Sequence, residues 1–270
     1  MKRFGTYEEC VEITKEYRKS CDYKNVFFLK NQVQDFIKEE KLSYTEKGRN
    51  LYIFEKCEGF SRFYFYISKD EPSEPLQYEE TLVIEFVYNA PAGEKQENTV
   101  EYLNRLGFTL GRRSMRMTLQ SLADFKYNNE RGCDNDVEIG LAEDGDAEQI
   151  RRMLLAEFDP LYAFIPSCSE LRQIIEEGRI VVARCGGEIA GFEHFEITKK
   201  VLKCWHMLVA EPYQGKGIGW RLFSESHRLA ADKAASGQIW LRSDNTPAIN
   251  MYRSGGYESD NRFSDEYVLR

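Results

Sequence analysis

A glycine-rich loop is the segment of this sequence best suited to hold an anion. The loop consists of Gln214, Gly215, Lys216, Gly217, Ile218 and Gly219. It follows an apolar run that ends near Ala210 and precedes a predicted helix. Glycines let successive backbone N–H groups turn toward a ligand, and the first amides and the dipole of a helix favour negative charge. A pyrophosphate fits such a loop, although the pattern taken alone is more often an ordinary turn.

Two nucleotide-binding motifs compete for the same glycines. A phosphate-binding P-loop requires G-x-x-x-x-G-K-[ST], but Gly217 follows Lys216 here. A dinucleotide-binding loop requires G-x-G-x-x-G in an opening βαβ unit, whereas this loop reads G-x-G-x-G and follows three predicted strands. Both motifs fit poorly, so a module for ATP or NAD is the least favoured alternative.

The elements that position the loop follow from periodicity and from turn signals. We predict ten elements in the second half, in the order β-α-α-β-β-β-α-β-α-β. The helices are predicted at residues 147–158, 169–177, 217–235 and 247–254, with Ser169 as the cap of the second. The predicted strands are residues 137–143, 179–185, 189–198, 201–209, 238–244 and 267–269.

The first half is predicted to be an abbreviated copy of the second. Helices are expected at residues 7–18, 26–40 and 97–106, and strands at residues 51–56, 60–68, 82–88 and 113–118. Residues 51–68 resemble residues 180–198 in layout, although strand 82–88 could instead match the central strand of the second half. Where the second half has residues 199–237, the first half has only residues 69–80. It therefore lacks the glycine loop. Its aromatic run 63–66 is expected to pack in a core rather than to stack on a ligand.

Composition indicates a globular chain of two domains. The 270 residues are 42% apolar, and residues 127–136 are rich in turn formers near the midpoint. We predict a first domain at residues 1–127, a linker at 128–136 and a second domain at 137–270.

Charge and cysteine usage disfavour several classes of partner. The net charge of −8 opposes binding to nucleic acid and mildly favours a cationic substrate. No apolar run is long enough to cross a membrane, and the N-terminus lacks a secretory signal, so a cytoplasmic location is expected. The seven scattered cysteines show no metal-ligand spacing, so no metal site is predicted.

Two runs of residues together resemble the GNAT acetyltransferase superfamily. Its acetyl-CoA motif, [QR]-x-x-G-x-[GA] between a strand and a helix, is matched by Gln214, Gly217 and Gly219. Its second signature is matched by Asn245, Ala248, Tyr252, Gly256 and Tyr257. The resemblance covers about residues 137–270 and extends faintly to the first half. It implies an α/β (α+β) fold, with a mixed, mostly antiparallel twisted central sheet flanked by helices, and two such domains in tandem.

The resemblance also implies where acetyl-CoA binds. Strand 201–209 would separate from strand 238–244, so that edge groups near Leu208 and Val209 bond the pantetheine arm. The backbone amides of residues 214–219 would hold the pyrophosphate. A backbone N–H beside the thioester would stabilise the oxyanion while an amine attacks, and transfer would be direct, without an acyl-enzyme.

Tyr252 is the general acid that the resemblance implies. A phenol has an ordinary pKa of about 10, which suits proton transfer to a departing thiolate. The alternative for Tyr252 is a core tyrosine on an amphipathic helix. Asn245 is expected either to contact the cofactor or to cap the last helix.

The general base is not singled out by the sequence. Glu193 and Glu196 on one strand and His206 on the next are candidates, and a buried structural role is the stronger interpretation of His206. Some relatives carry a carboxylate where this chain has Lys203. His227 is expected at the surface, and Cys204 is expected to be a packed thiol rather than a nucleophile.

These patterns favour an acetyl-CoA-dependent N-acetyltransferase that acts on a primary amine, either of a small molecule or of a peptide. The alternative from another class is a non-catalytic acyl-CoA-binding or regulatory protein, because the cofactor motifs are clear and the base is not. The first domain is expected either to wall the acceptor site or to mediate formation of a homodimer.

Overall fold

The computed structural model describes residues 1–26, 28–71, 74–127 and 136–270. The chain divides into two compact units, of which unit 1 comprises Met1–Arg113 with Phe263–Arg270, and unit 2 comprises Ser114–Arg262. The predicted linker falls on residues 128–136, of which only Asp136 is described. Both units are α/β, with mostly antiparallel strands flanked by helices, as the sequence predicts.

The described residues of unit 1 form strands and three α-helices. Its strands are β1 (Lys2–Arg3), β2 (Tyr23–Lys24), β3 (Leu42–Lys47), β4 (Asn50–Lys56), β5 (Phe60–Ile67) and β6 (Thr81–Asn89), and β7 (Thr109–Leu119) begins in it. Its helices are α1 (Tyr7–Ser20), α2 (Lys30–Lys38) and α3 (Glu94–Arg105). The strands β1, β2 and β3 are absent from the prediction, and the second helix begins at Lys30 rather than at residue 26.

The sheet of unit 1 runs in the order β1-β3-β4-β5-β6, and β2 pairs with β5. Strand alternation divides its aromatic run between two faces. Phe63 and Phe65 pack in a core with Phe108 and Leu103, whereas Tyr66 packs on the other face in a core with Leu51. The prediction that this run packs in a core is therefore confirmed.

Unit 2 follows the predicted order of elements. Its strands are β8 (Val137–Leu141), β9 (Ile180–Cys185), β10 (Glu188–Thr198), β11 (Val201–Val209), β12 (Ser236–Arg242) and β13 (Glu258–Leu269), the last of which ends in unit 1. Its helices are α4 (Ala147–Glu157), α5 (Cys168–Glu176), α6 (Ile218–Ala230) and α7 (Thr246–Ser254). The cap of α5 is Ser167 rather than Ser169, because the Ser167 Oγ accepts a hydrogen bond from the Glu170 N–H at 3.3 Å.

The sheet of unit 2 places α6 and α4/α5 on opposite faces. Strands β8, β9, β10 and β11 are antiparallel neighbours, β11 and β12 are parallel, and β12 pairs with Ser114–Leu119 of β7. Phe192 and Leu208 pack with the apolar residues of α4 and α5. Residues of opposite parity on β10 and β11 therefore face α6. In the described part of the chain, no helix is long and apolar enough to span a membrane.

Candidate active site

The glycine loop forms a left-handed entry into α6. Gly215 and Gly217 have φ values of +76° and +77°, a region that glycine adopts without strain. Gly217 is the N-cap of α6 and offers no side chain to its first turn. A Cβ built on Gly215 would meet no atom within 4 Å. The loop is thus open on the side of Gly215 and leads into the positive end of a helix dipole.

The parallel strands beside this loop separate along their length. Their pairing runs from Val201 opposite Ser236 to Cys204 opposite Ile239, and no later pair joins them among the described residues. The separation coincides with a β-bulge, because His194 lies opposite His206 while Phe195 lies opposite Cys204. Trp205 is therefore the extra residue of the bulge, which bends β11 at the point where β12 leaves it.

The free edge of β11 presents the backbone of Met207 and Val209. The Ala210 N–H, one residue after the end of β11, bonds the carbonyl of Ala190 in β10 at 2.9 Å. Since backbone groups alternate in direction along a strand, those of Met207 and Val209 point to the edge that β12 has left. The Leu208 backbone faces β10 instead. The Nε2 of Gln214 donates to the Val209 carbonyl at 2.9 Å and so ties the glycine loop to this edge.

This geometry fits the two ends of an acyl-CoA. An extended pantetheine arm can bond a free strand edge as an added strand does, and a pyrophosphate can accept bonds from backbone amides at a helix start. Gln214 holds the two parts next to each other, because it joins the glycine loop to the free edge at Met207 and Val209. A Cβ on Gly219 would lie 3.4 Å from the Met251 sulfur and 3.7 Å from the Val209 side chain, so Gly219 packs closely between α7 and the end of β11.

Tyr252 lies beside the opening that is formed by the free edge of β11 and the glycine loop. It is 6% exposed, and its hydroxyl is 3.9 Å from the Met207 sulfur. Burial raises the pKa of Tyr252 well above its ordinary value, and the nearby Cys204 and Glu193 raise it further. The hydroxyl therefore stays protonated. Asn245 caps α7 by accepting from the Ala248 N–H at 3.2 Å, as one of its two predicted roles requires.

Glu193 is fully buried on the α6 face of the sheet. Neither of its carboxyl oxygens meets a hydrogen-bond partner among the described residues. Burial raises the pKa of the Glu193 carboxyl to about 7, against smaller opposing effects of the Cys204 thiol and the Ser226 hydroxyl. Burial also raises the pKa of Cys204 well above its usual range, which agrees with a packed, neutral thiol.

His206 faces the opposite side of the sheet and pairs with a second histidine. Its Nδ1 is 3.3 Å from the Nδ1 of His194, and both rings are buried. Burial lowers the pKa of His206, and burial together with the charge of His206 lowers the pKa of His194 to about 3. The ring of Phe158, in the connection between α4 and α5, packs edge-on against His206 at 5.3 Å. The two base candidates Glu193 and His206 thus lie on opposite faces.

Glu196 lies on the face of His206 and is partly exposed. Its carboxylate accepts from the Trp205 Nε1 at 3.1 Å and lies 4.0 Å from Arg179. Lys203 lies opposite Glu196 across β10 and β11. Among the described residues, no group of three histidine, cysteine or acidic side chains could hold a metal ion.

The expectation that His227 is a surface residue is wrong. His227 is fully buried in α6, its Nδ1 lies 2.7 Å from the Phe223 carbonyl, and its Nε2 lies 2.9 Å from the Tyr257 hydroxyl. These contacts assign the proton to Nδ1, so Nε2 accepts from Tyr257. Burial lowers the pKa of His227 to about 4 and keeps the ring neutral.

Sequence reasoning missed Met207 and His194. Met207 borders the opening through both its backbone and its sulfur, and His194 pairs with His206. Strand alternation predicts that the backbones of Met207 and Val209 face the same edge. Which edge this is depends on the hydrogen bond from Ala210 to Ala190, which the sequence does not reveal. The pairing of the histidines depends on the bulge at Trp205, which no local sequence signal marks.

Comparison with known proteins agrees with this geometry. Residues 176–259 match the family model described as an acetyltransferase (GNAT) domain. This span contains β9 to α7 and so covers the glycine loop, the free edge and Tyr252. No protein of curated function matches the chain.

Solved structures share the fold at low sequence identity. A GCN5-related N-acetyltransferase from Sphaerobacter thermophilus is 12% identical, with a TM-score of 0.62 over 99% of this chain and 94% of that one. An acetyltransferase of the GNAT family from Colwellia psychrerythraea is 13% identical, with a TM-score of 0.53 over 100% and 99%. A tandem GNAT protein from the clavulanic acid biosynthesis pathway is 12% identical, with a TM-score of 0.53 over 83% and 80%.

Proposed function

Because residues 176–259 match the family model of a GNAT acetyltransferase domain, we propose that this chain transfers an acetyl group from acetyl-CoA directly to a primary amine. The observation that carries the proposal is the joint opening of the β11 edge and the glycine loop, tied by the bond from Gln214 to Val209. An edge of this kind suits the pantetheine amides, and the loop suits the pyrophosphate.

The residues of the opening then have distinct tasks. Acetyl-CoA supplies an activated acyl group as a thioester. The Met207 N–H faces the free edge, where it can donate to the acyl oxygen as negative charge develops there. Tyr252 donates the proton of its hydroxyl to the departing sulfur; its position beside Met207 and its protonated state support this role. Residues Gln214 to Gly219 hold the phosphates, and Asn245 secures the start of the helix that carries Tyr252.

Glu193 and His206 remain our candidates for the group that takes the amine proton. A base of pKa about 7, as at Glu193, predicts a rate that falls below about pH 7. A base at His206 predicts an acidic limb below the ordinary histidine range, because burial lowers its pKa. Profiles of kcat/KM against pH for Glu193→Gln and His206→Gln identify the base as the residue whose loss abolishes the acidic limb.

The first test is calorimetric titration with acetyl-CoA. We expect the parent chain to bind and Gly217→Glu to lose binding, because a carboxylate at the helix N-cap repels the pyrophosphate. Gly187→Glu is the matched control, since Gly187 also has a positive φ, +87°, and lies in an open hairpin turn. Absence of binding by a folded parent, or equal loss in both variants, contradicts the proposal.

A screen of amines for release of free CoA thiol then separates the enzyme from its alternative. An acetyltransferase releases thiol in proportion to an added acceptor. A non-catalytic acyl-CoA-binding protein shows calorimetric binding and no turnover with any amine, and the burial of Glu193 and His206 is the observation that favours this second candidate. Small amines and peptide N-termini belong in one screen, because the sequence favours neither class of acceptor.

A further inference from the structure

Unit 1 repeats the strand arrangement that creates the opening in unit 2. Strand β5 is antiparallel to β4 on one edge and parallel to β6 on the other, from Phe60 opposite Thr81 to Arg62 opposite Val83. Strand β11 is likewise antiparallel to β10 and parallel to β12 over a short stretch. In both units the central strand continues beyond the parallel pairing, to Ile67 in β5 and to Val209 in β11.

The continued edge of β5 is covered, unlike that of β11. Strand β2 pairs with it antiparallel, with Tyr23 opposite Ile67 and Lys24 opposite Tyr66. The Asp22 N–H bonds the Ile67 carbonyl at 2.9 Å, which extends the contact by one residue. Residues 22–25 therefore lie along the edge that corresponds to the free edge at Met207 and Val209.

The side chain of Asn25 completes this cover. Its Nδ2 donates to the Phe63 carbonyl at 3.1 Å, and its Oδ1 accepts from the Phe65 N–H at 2.8 Å. The Asn25 N–H also bonds the Phe65 carbonyl at 3.4 Å. Asn25 is 4% exposed, so its amide is sealed against the strand. A primary amide thus makes the pair of bonds that an amide of an extended ligand would make at a free edge.

The phosphate-binding part is missing as well. The connection from β5 to β6 contains no helix in its described residues, 68–71 and 74–80, where the second unit has the glycine loop and α6. The cover by residues 22–25 and the short connection are independent features, and both remove elements that an acyl-CoA needs.

We propose that residues 22–25 are a built-in occupant of the cofactor slot of unit 1, so that the chain holds one acyl-CoA site, in unit 2. The number of acyl-CoA sites, one, rests on the function proposed for unit 2. The cover of the β5 edge by residues 22–25 does not depend on that function. The segment stands in for an extended ligand: its backbone supplies the added strand, and Asn25 supplies the amide. Unit 1 is therefore a closed copy of the acetyltransferase fold and contributes no second reaction centre.

Calorimetry of the full chain tests the count. We expect one acetyl-CoA per chain, and no residual binding in Gly217→Glu up to millimolar ligand. A stoichiometry of two, or binding that survives in Gly217→Glu, overturns the proposal of a single site. If the chain binds no acetyl-CoA, the function proposed for unit 2 is contradicted. The cover of the β5 edge is then tested separately by hydrogen exchange.

Amide hydrogen exchange tests the occupant itself. Without ligand, we expect the Phe65 amide to be protected like the core strands and the Met207 and Val209 amides to exchange fast. Acetyl-CoA should protect the latter two and leave Phe65 unchanged. Fast exchange at Phe65 in the parent chain overturns the proposal.

Hydrogen exchange of the variant Asn25→Ala tests the role of the Asn25 side chain. Asn31→Ala is the control, because Asn31 is exposed on α2. We expect Asn25→Ala to lower protection at Phe65 by about tenfold or more, the usual worth of a buried hydrogen bond. Asn31→Ala should leave it unchanged. If Asn25→Ala unfolds, Asn25→Asp keeps the acceptor and loses the donor, and it should retain protection at Phe65. Equal protection in Asn25→Ala and the parent contradicts the assigned role of Asn25.

Discussion

The hydroxyl of Tyr252 lies 3.9 Å from the sulfur of Met207, at the stretch of β11 that β12 leaves free. The proposed proton donor therefore lies next to Met207, whose backbone N–H faces the same edge. Because Tyr252 belongs to α7 and Met207 to β11, this contact links the helix of the second motif to the strand that precedes the glycine loop.

Tyr252→Phe tests the acid directly. We expect kcat to fall by about a hundredfold or more, the usual contribution of a general acid, with little change in the affinity for acetyl-CoA. The control is Tyr44→Phe, a change to an equally buried tyrosine, 6% exposed, in unit 1. Full turnover by Tyr252→Phe across the pH range would show that another group protonates the sulfur.

Glu193→Gln should stabilise the protein at alkaline pH. The pKa of Glu193 rises from 4.5 to about 7 on folding, so between these values the folded state holds more protons than the unfolded state. Stability therefore falls as pH rises through this window. The gain from Glu193→Gln should grow to about 3 kcal/mol above pH 7, at about 1.4 kcal/mol per pKa unit. Urea unfolding at pH 5 and pH 8 measures it, with Glu196→Gln as control, and a gain independent of pH would contradict the buried carboxyl.

The histidine pair should have the opposite effect on stability. Folding lowers the pKa of His194 to about 3 and also lowers that of His206, so the unfolded state binds more protons below about pH 6.5. Stability contributed by the neutral pair is lost as pH falls from about 6.5. We expect His194→Gln combined with His206→Gln to lose less stability than the parent between pH 7 and pH 5. An equal loss would show that the pair is not neutral when folded.

Tyr257→Phe should destabilise unit 2 by about 1–3 kcal/mol, because it leaves the buried Nε2 of His227 without its donor. Adding His227→Phe removes both partners and should recover part of this loss. Chemical denaturation of the two variants measures the difference. A double variant less stable than the sum of its parts would assign the loss to packing instead.

Local pattern predicted the order of elements in unit 2. Apolar periodicity marks α4 to α7, and the glycine loop marks the start of α6, because both depend on residues close in sequence. The same reasoning was weaker in unit 1. It missed β1, β2 and β3. Strands β1 and β2 are two residues long, and each is held by bonds to a strand about forty positions away, β3 and β5 respectively.

The sequence by itself determined the type of fold, the loop that suits a pyrophosphate and the helix that carries Tyr252, because short-range periodicity and glycine conformation encode them. Only the tertiary structure decided which edge is free and which groups are neutral. The bulge at Trp205 and the departure of β12 expose Met207 and Val209, and packing of α6 buries Glu193 and His227. These features arise from contacts between distant segments, where desolvation and strand pairing act on residues that the local sequence does not distinguish.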